Sequence, residues 1–394
     1  MQVKCLKYRL YPTKAQGRRL EQTLETCRQV YNSLLNWRKH DYEVLGKSPS
    51  WYDQKKGITT WKAAHPELSD VHSQVLQDVS VRVDLAFKAF FRRVKAGETP
   101  GFPRVKGDGY DSFCFPGTGY AIVNGGLRLS KITEPNRTIK MRLHRPLVGK
   151  VKTCCIHRVG SKWFVCFSVE QEDDLLPPSA DVVGLDAGLN SFLALSNGEF
   201  IDSPRFFRKD EKALAKAGRR QAKTAKRSKE RRKANKVLSR VHERIRNRRH
   251  DFVHQTARKI VNRYGVIAVE KLNVKGMVKN HNLAKSISDA SWSMLRTVLT
   301  HKAESAGRDA KGAALREVIA IDPRYTSQDC HTCGYRAKKK LSDRWHFCPN
   351  CSASLDRDTN AAINILNLAI GTSLDGITSS QVTPVEAPAF RHGE

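Results

Sequence analysis

Four cysteines near the C-terminus constrain this chain more than any other feature. Cys330-x2-Cys333 is followed, after fourteen residues, by Cys348-x2-Cys351, with Gly334 just behind the first pair. Each pair can wrap two thiolates around one Zn²⁺, and the intervening "GYRAKKKLSDRWHF" suits the hairpin of a zinc ribbon. The competing readings are four unrelated cysteines or two disulfides. The N-terminus, "MQVKCLKYRLYP", carries charge but no apolar h-region, so a reducing, cytoplasmic location is expected, where such pairs bind zinc. Four sulfurs close the site, which makes this zinc structural and leaves His331 and His346 outside the ligand set. The other six cysteines (Cys5, Cys27, Cys114, Cys154, Cys155 and Cys166) stand among hydrophobic residues and read as small buried side chains.

The 394 residues suffice for two or three domains with real cores. No apolar stretch approaches the length of a membrane span. Lys and Arg number 70 against 39 Asp and Glu, a net charge of +31, so a polyanion is the expected partner. With neither an amphipathic anchor nor a lipidation signal, nucleic acid is favoured over a membrane surface. The bias peaks between Lys212 and Arg249, where seventeen Lys or Arg face only Glu230 and Glu243. Leu238, Val241, Ile245, Phe252, Ala257 and Ile260 form an apolar stripe there, which predicts a long basic helix. A solvated helix face would explain any one of these charges. Their density favours phosphate contact, and Arg231, Arg232, Lys233, Arg240, Arg244 and Arg248 are the candidates.

Residues 1–12 alternate apolar and basic, as a strand ending at Pro12. Thr13 then caps a long helix, and a second helical region carries Val75, Val79, Val83, Ala86 and Phe90 on one face. Residues 97–120 are rich in Gly, Pro and aromatics and read as turns, before short β-like runs from 121 to 172. The first strand thus belongs to a β-domain completed after a helical insertion, and "DDLLPPSAD" is a linker. Beyond it come three short strands with Asn197-Gly198 at a hairpin turn, the basic helix, the strand "YGVIAVE", further helices, and the strand "REVIAIDP". Residues 371–394 have the composition of a disordered tail.

Three acids stand at element ends. Asp186 closes the strand "VVGLD", Glu270 closes "VIAVE", and Asp358 opens the helix "TNAAINILNLAI". Singly, they are a turn aspartate, a surface glutamate and an N-cap. In this order, with a three-strand meander and a helix between the first two, they form the pattern of an RNase H-like α/β core. The two strands then lie side by side, and a packed helix brings in the third acid. Clustered carboxylates favour Mg²⁺ or Mn²⁺, which support phosphodiester hydrolysis. Asp356 is an alternative to Asp358 as the third ligand, and Asn360 either orients the cluster or only packs.

"GLDAGLNSFLALSNGE", "IAVEKLNVKGM", "TSQDCHTCG…FCPNC" and "DRDTNAAINIL", in this order, resemble the TnpB (OrfB) proteins of insertion sequences. Those are RNA-guided DNA nucleases related to the type V CRISPR effectors. "AFKAFFRRVKAGETPGFPRVK" carries the likeness into the N-terminal half, so that it spans residues 1–370. Ala187 departs mildly from the pattern, where a larger apolar residue is common; the carboxylate before it is present.

The resemblance implies a multidomain α/β chain. A β-barrel wedge domain (1–12 and 118–176) would carry a helical recognition domain (13–117). A RuvC-type nuclease domain (180–321 and 353–370) would hold catalytic metal on Asp186, Glu270 and Asp358 and contain a zinc-ribbon insert (322–352). The implied partners are a guide RNA from the mobile element and double-stranded target DNA, bound by a monomer in a prokaryotic cytoplasm at the nucleoid. Gln74, Gln77 and Arg104 of the "GFPR" turn are the candidates for reading a short motif beside the target, since amides suit base-edge contacts. A catalytically silent RNA-guided repressor and a DNA-joining transposase are the rival functions.

Overall fold

The computed structural model describes residues 2–172, 175–309, 312–340 and 343–374. The chain forms two compact units, divided after Glu172.

In the first unit, β1 (Gln2–Tyr11) leads into α1 (Lys14–Leu45), α2 (Trp51–Ala64) and α3 (Ser73–Lys95). Thr13 and Gln16 form a reciprocal capping box that starts α1, and Gly46 ends it in the left-handed conformation. Leu20, Leu24, Tyr31, Leu34 and Leu35 of α1 share a core with Val75, Val79 and Val83 of α3. Phe87, rather than Ala86 or Phe90, takes the next inner position on α3, and Phe90 packs edge-on against Phe102.

Six strands follow: β2 (Ser112–Phe115), β3 (Tyr120–Val123), β4 (Gly126–Leu129), β5 (Ile139–Arg142), β6 (Lys150–Val159) and β7 (Lys162–Gln171). With β1 they form a seven-stranded sheet in the order β2-β6-β7-β1-β5-β4-β3. Its two edges curl together: the Phe115 and Tyr120 rings lie 6.4 Å apart, and Tyr120 Oη is 3.5 Å from Val151 O. The sheet is therefore a nearly closed barrel, filled by the alternate residues Tyr8, Leu10, Phe113, Phe115, Val165 and Phe167. One strand corrects the reading of 97–120 as turns, because β2 pairs with β6 and so joins the barrel ahead of residue 118. Its apolar alternation, "SFCF", is too short to stand out among flanking glycines and prolines.

The scattered cysteines also differ from expectation. Cys114 and Cys155 face each other across β2 and β6 and are disulfide-bonded, while Cys5 is exposed. Only Cys27 and Cys154 of the six are fully buried thiols.

The second unit is built on β8 (Val182–Asp186), β9 (Ser191–Leu195), β10 (Phe200–Asp202), β11 (Val266–Glu270) and β12 (Glu317–Ile321). They run in the order β10-β9-β8-β11-β12. The β8–β9 and β9–β10 pairs are antiparallel, whereas β8, β11 and β12 are parallel. Between β10 and β11 lie α4 (Phe206–Ala222) and the 35-residue α5 (Lys229–Arg263). After β11 come α6 (Val274–Met277), α7 (Ala284–Ala290) and α8 (Trp292–Glu304). The small hairpin β13 (Trp345–Phe347) and β14 (Ser354–Asp356) then precedes α9 (Arg357–Leu374).

Side-chain size decides which helix covers which face of this sheet. Val183, Leu185, Ile267 and Val269 pack with Val253, Ala257 and Ile260 of α5 and Leu295 and Leu299 of α8. The alternate residues Gly184 and Ala268, paired in register, are small and lie under α9. A Cβ on Gly184 would collide with Ala362 O, so α9 can sit this close only over glycine. That approach brings the first turn of α9 to the end of β8.

The helix α9 runs to Leu374, four residues into the segment expected to be a disordered tail. Residues 375–394 lie outside the described residues. Among the described residues no helix is long and apolar enough to cross a membrane.

Candidate active site and metal centre

Parallel pairing of β8 and β11 sets Leu185 opposite Val269, so Asp186 and Glu270 follow side by side at the C-terminal end of the sheet. Asp358 arrives from the first turn of α9, where a Cβ built on Gly188 would lie 3.8 Å from its Oδ2. Asp356 is placed differently. Its Oδ1 accepts the backbone N–H of Asp358 at 2.8 Å and of Thr359 at 3.1 Å. It is the N-cap of α9, and its carboxylate is engaged by the helix it starts.

Burial raises all three acids, and Asp186 also feels the charges of the other two. Burial, and then the charges of Glu270 and Asp358, push the Asp186 carboxyl well above its ordinary value, against the opposing pull of Arg357. Burial raises Glu270 to about 7, opposed by a hydrogen bond from Thr326. Asp358 is raised by burial and by Asp356, while Arg344 and Arg357 pull it down. The position of Asp358 at a helix N-terminus offsets part of the cost of this crowding. Like charges held together at a sheet edge call for a cation, and all-oxygen donors select a hard one such as Mg²⁺ or Mn²⁺.

These shifts give a pH-dependent result. A carboxyl whose folded value exceeds its unfolded one holds its proton in the fold while the unfolded chain has lost it. For Glu270 the metal-free protein therefore loses stability as pH rises from 4.5 to about 7. Glu270→Gln removes the titration, and at pH 8 without divalent cations it is expected to stabilise the protein by up to about 3 kcal/mol. Thermal melts at pH 5 and pH 8 check this: the gain should be large at pH 8 and small at pH 5.

The four cysteines of the ribbon converge. Cys330 Sγ lies 3.6 Å from Cys351 Sγ, and Cys333 Sγ lies 3.5 Å from Cys348 Sγ. Sulfurs on a tetrahedral zinc, each about 2.3 Å from the ion, stand about 3.8 Å apart, so the donor set fits Zn²⁺. Both knuckles share one backbone design. Gly334 N–H donates to Cys330 O and Ser352 N–H to Cys348 O, each at 2.9 Å, with both donors in the left-handed conformation. The hairpin differs from the expected one: β13 and β14 flank the second knuckle, and an isolated Asp329–Arg336 bridge flanks the first. The β13–β14 pairing extends to Asp356, past the expected end of the insert at 352. Neither histidine joins the sulfurs: His331 Nδ1 meets Asn360 Oδ1, and His346 Nδ1 meets Lys339 Nζ.

Polar side chains tie the ribbon to the acids: Thr326 and Arg344, which the sequence did not single out, and Asn360, which it did. Thr326, in the turn before Cys330, donates to Glu270 Oε1 at 3.1 Å. With the Asn190 amide turned so that its oxygen faces Arg344, the guanidinium donates to it at 2.7 Å, in the turn after β8. Asn360 is fully buried and holds Asp329 O and the His331 N–H. The motif "TSQDCHTCG" contains Thr326, but a hydroxyl in a turn carries no mark of a partner 56 residues away.

The candidate nucleic-acid residues divide into free and engaged groups. Arg244 and Arg248 of α5 clamp the largely buried Asp210 of α4, at 2.7 and 3.2 Å. Arg231 holds the C-terminal end of α4 through Gln221 O and Thr224 O, at 3.0 and 2.9 Å. Arg232, Lys233, Arg240 and Arg104 are exposed. Gln77 is half-buried on α3, while Gln74 Oε1 already accepts the Thr118 N–H at 2.8 Å, leaving its amide nitrogen as the available donor. Of the α5 candidates, Arg232, Lys233 and Arg240 are therefore the better placed to meet phosphate.

Residues 165–281 match the family described as "Probable transposase", residues 292–365 match "Cas12f1-like, TNB domain", and residues 1–47 match "Helix-turn-helix domain". A Streptomyces pristinaespiralis protein named "Putative RNA-guided DNA endonuclease" is 35% identical, covering 95% of this chain and 91% of its own. The Escherichia coli K12 protein named "Putative RNA-guided DNA endonuclease InsQ" is 29% identical over 92% of each chain. A solved structure titled "Cryo-EM structure of the Cas12f1-sgRNA-target DNA complex" shares the fold. Its TM-score is 0.54 at 16% identity, covering 90% of this chain and 82% of that one.

Proposed function

The chain belongs to the TnpB (OrfB) family, and from that premise we propose that it is an RNA-guided DNA endonuclease of a transposable element. One observation carries the catalytic half of the reading. Three carboxylates, from the ends of two adjacent parallel strands and from the first turn of a helix, share one end of a sheet. The second unit is then a RuvC-type nuclease domain, with Asp186, Glu270 and Asp358 holding Mg²⁺ or Mn²⁺. Such ions supply Lewis-acid polarisation of the scissile phosphate and the means to activate water at neutral pH.

The remaining work falls to the chain's own residues. The three acids fix where divalent charge sits. Arg344 and Arg357 lie close enough to Asp358 to lower its carboxyl and so favour the ionised form that binds metal. In the first unit the barrel serves as the wedge domain and α1–α3 as the recognition domain. Gln74, Gln77 and Arg104 read the motif beside the target. Exposed basic residues, among them Arg232, Lys233 and Arg240, hold the guide–target duplex by its backbone, and base pairing supplies the specificity. The complex contains one copy of the chain and acts in a prokaryotic cytoplasm at the nucleoid.

A cleavage assay on the purified ribonucleoprotein separates this function from its rivals. Hydrolysed DNA ends that appear only with divalent cation and matching RNA support it. Binding without cutting would mark a repressor, and RNA-independent strand-transfer products would mark a transposase.

A further inference from the structure

We propose that Thr326 is a positioning residue for Glu270, and that the turn 326–331 clamps the ends of β11 and α9 together so that their acids meet the metal in register. The inference rests on the nuclease reading above. Glu270 ends its strand, and three side-chain torsions separate its carboxylate from the backbone. Repulsion from Asp186 and Asp358 would swing it outward unless something held it. Thr326 is 4% exposed, and its Oγ1 lies 3.1 Å from both Glu270 Oε1 and Pro323 O. One hydroxyl proton serves one acceptor at a time, and an ionised carboxylate is the stronger of the two. The hydroxyl therefore points at Glu270 and fixes the direction of its second oxygen.

The turn that carries Thr326 is itself pinned to α9. Asn364 Nδ2 donates to Thr326 O at 2.8 Å and to Asp329 O at 2.7 Å. One turn earlier on the same helix face, Asn360 Nδ2 donates to Asp329 O at 2.8 Å, and its Oδ1 accepts the His331 N–H at 3.1 Å. Asp358 lies two residues before Asn360. A short path of hydrogen bonds thus links two of the three acids through one loop, and that loop leads directly into the first zinc knuckle. Partners of this kind, behind a metal-binding carboxylate, typically change metal affinity or activity about 10–100-fold when removed.

The test compares Thr326→Val, which keeps shape and loses the hydroxyl, with Thr326→Ser, which keeps the hydroxyl. Zinc-loaded protein is titrated with Mn²⁺ by electron paramagnetic resonance, and guided cleavage is measured against Mg²⁺ concentration. T326V should weaken Mn²⁺ binding and raise the half-maximal Mg²⁺ about 10-fold, with DNA binding unchanged. T326S should return both to within about 3-fold of the parent, the remainder reflecting its freer rotamer. Wild-type metal dependence in T326V would overturn the proposal, as would equal loss in both variants, which would mean packing alone. Mn²⁺ binding is read without any RNA. If the wild-type protein fails to cut while T326V still loses Mn²⁺, the nuclease reading fails and the positioning role stands.

Discussion

Asp186→Ala is expected to reduce guided DNA cleavage by at least about 10³-fold while leaving RNA and target DNA binding within about 3-fold of the parent. The size follows from its place. Asp186 ends the central strand, and its carboxyl responds to the charges of both other acids. In the proposed site Asp186, Glu270 and Asp358 would hold the divalent cation together, and losing Asp186 would leave only two of the three carboxylates to do so. The fold should tolerate the change, because a buried, repelled carboxylate is a liability in the metal-free protein. Cleavage kinetics at saturating complex, with filter binding of the same DNA, separate the chemical loss from any binding loss. Appreciable cutting by this variant would remove Asp186 from the site.

Cys348→Ser is expected to have the second-largest effect. Cys348 is fully buried and its sulfur faces Cys333 in the tetrahedral set. Structural zinc sites contribute about 10–16 kcal/mol to the folding of small zinc modules, so the loss of one thiolate should release the ion and loosen the ribbon. The ribbon is not a detached appendage. Its first knuckle follows the turn that touches Glu270, and its second opens into β14 and the Asp356 cap of α9. Loosening it should therefore disturb two acids that it does not contain. Zinc content by mass spectrometry should fall by about one equivalent per chain, and cleavage by about 100-fold or more. Loss of zinc with full activity would show that the ribbon and the acids are independent.

What the sequence disclosed depends on how local each signal is. The cysteine quartet was legible because zinc demands a spacing that few other pressures produce. Asp186 and Glu270 were legible because each ends an apolar run of strand length, so that topology alone sets them together. The cap hydrogen bonds that engage Asp356 and leave Asp358 as the proposed ligand are not displayed by a sequence. The basic helix was visible as a charge density. Yet Arg231, Arg244 and Arg248 are engaged within the protein, the last two while still exposed, because their partners, Gln221, Thr224 and Asp210, lie on or just beyond a neighbouring helix. Strand β2 was hidden by its flanking glycines and prolines. The Cys114–Cys155 pair was hidden because a register across 41 residues leaves no trace in either strand. Gly184 carries no local mark in its strand; its importance lies in the close approach of α9, a helix far along the chain.

The most direct measurement is reprogrammed cleavage. The protein is purified from cells with its RNA, the RNA is sequenced, and the complex is rebuilt with the targeting end of that RNA changed. A discrete RNA should copurify, and in Mg²⁺ the cut should move to DNA matching the new sequence. Heterogeneous RNA, or a cut that ignores the change of guide, would contradict the central claim.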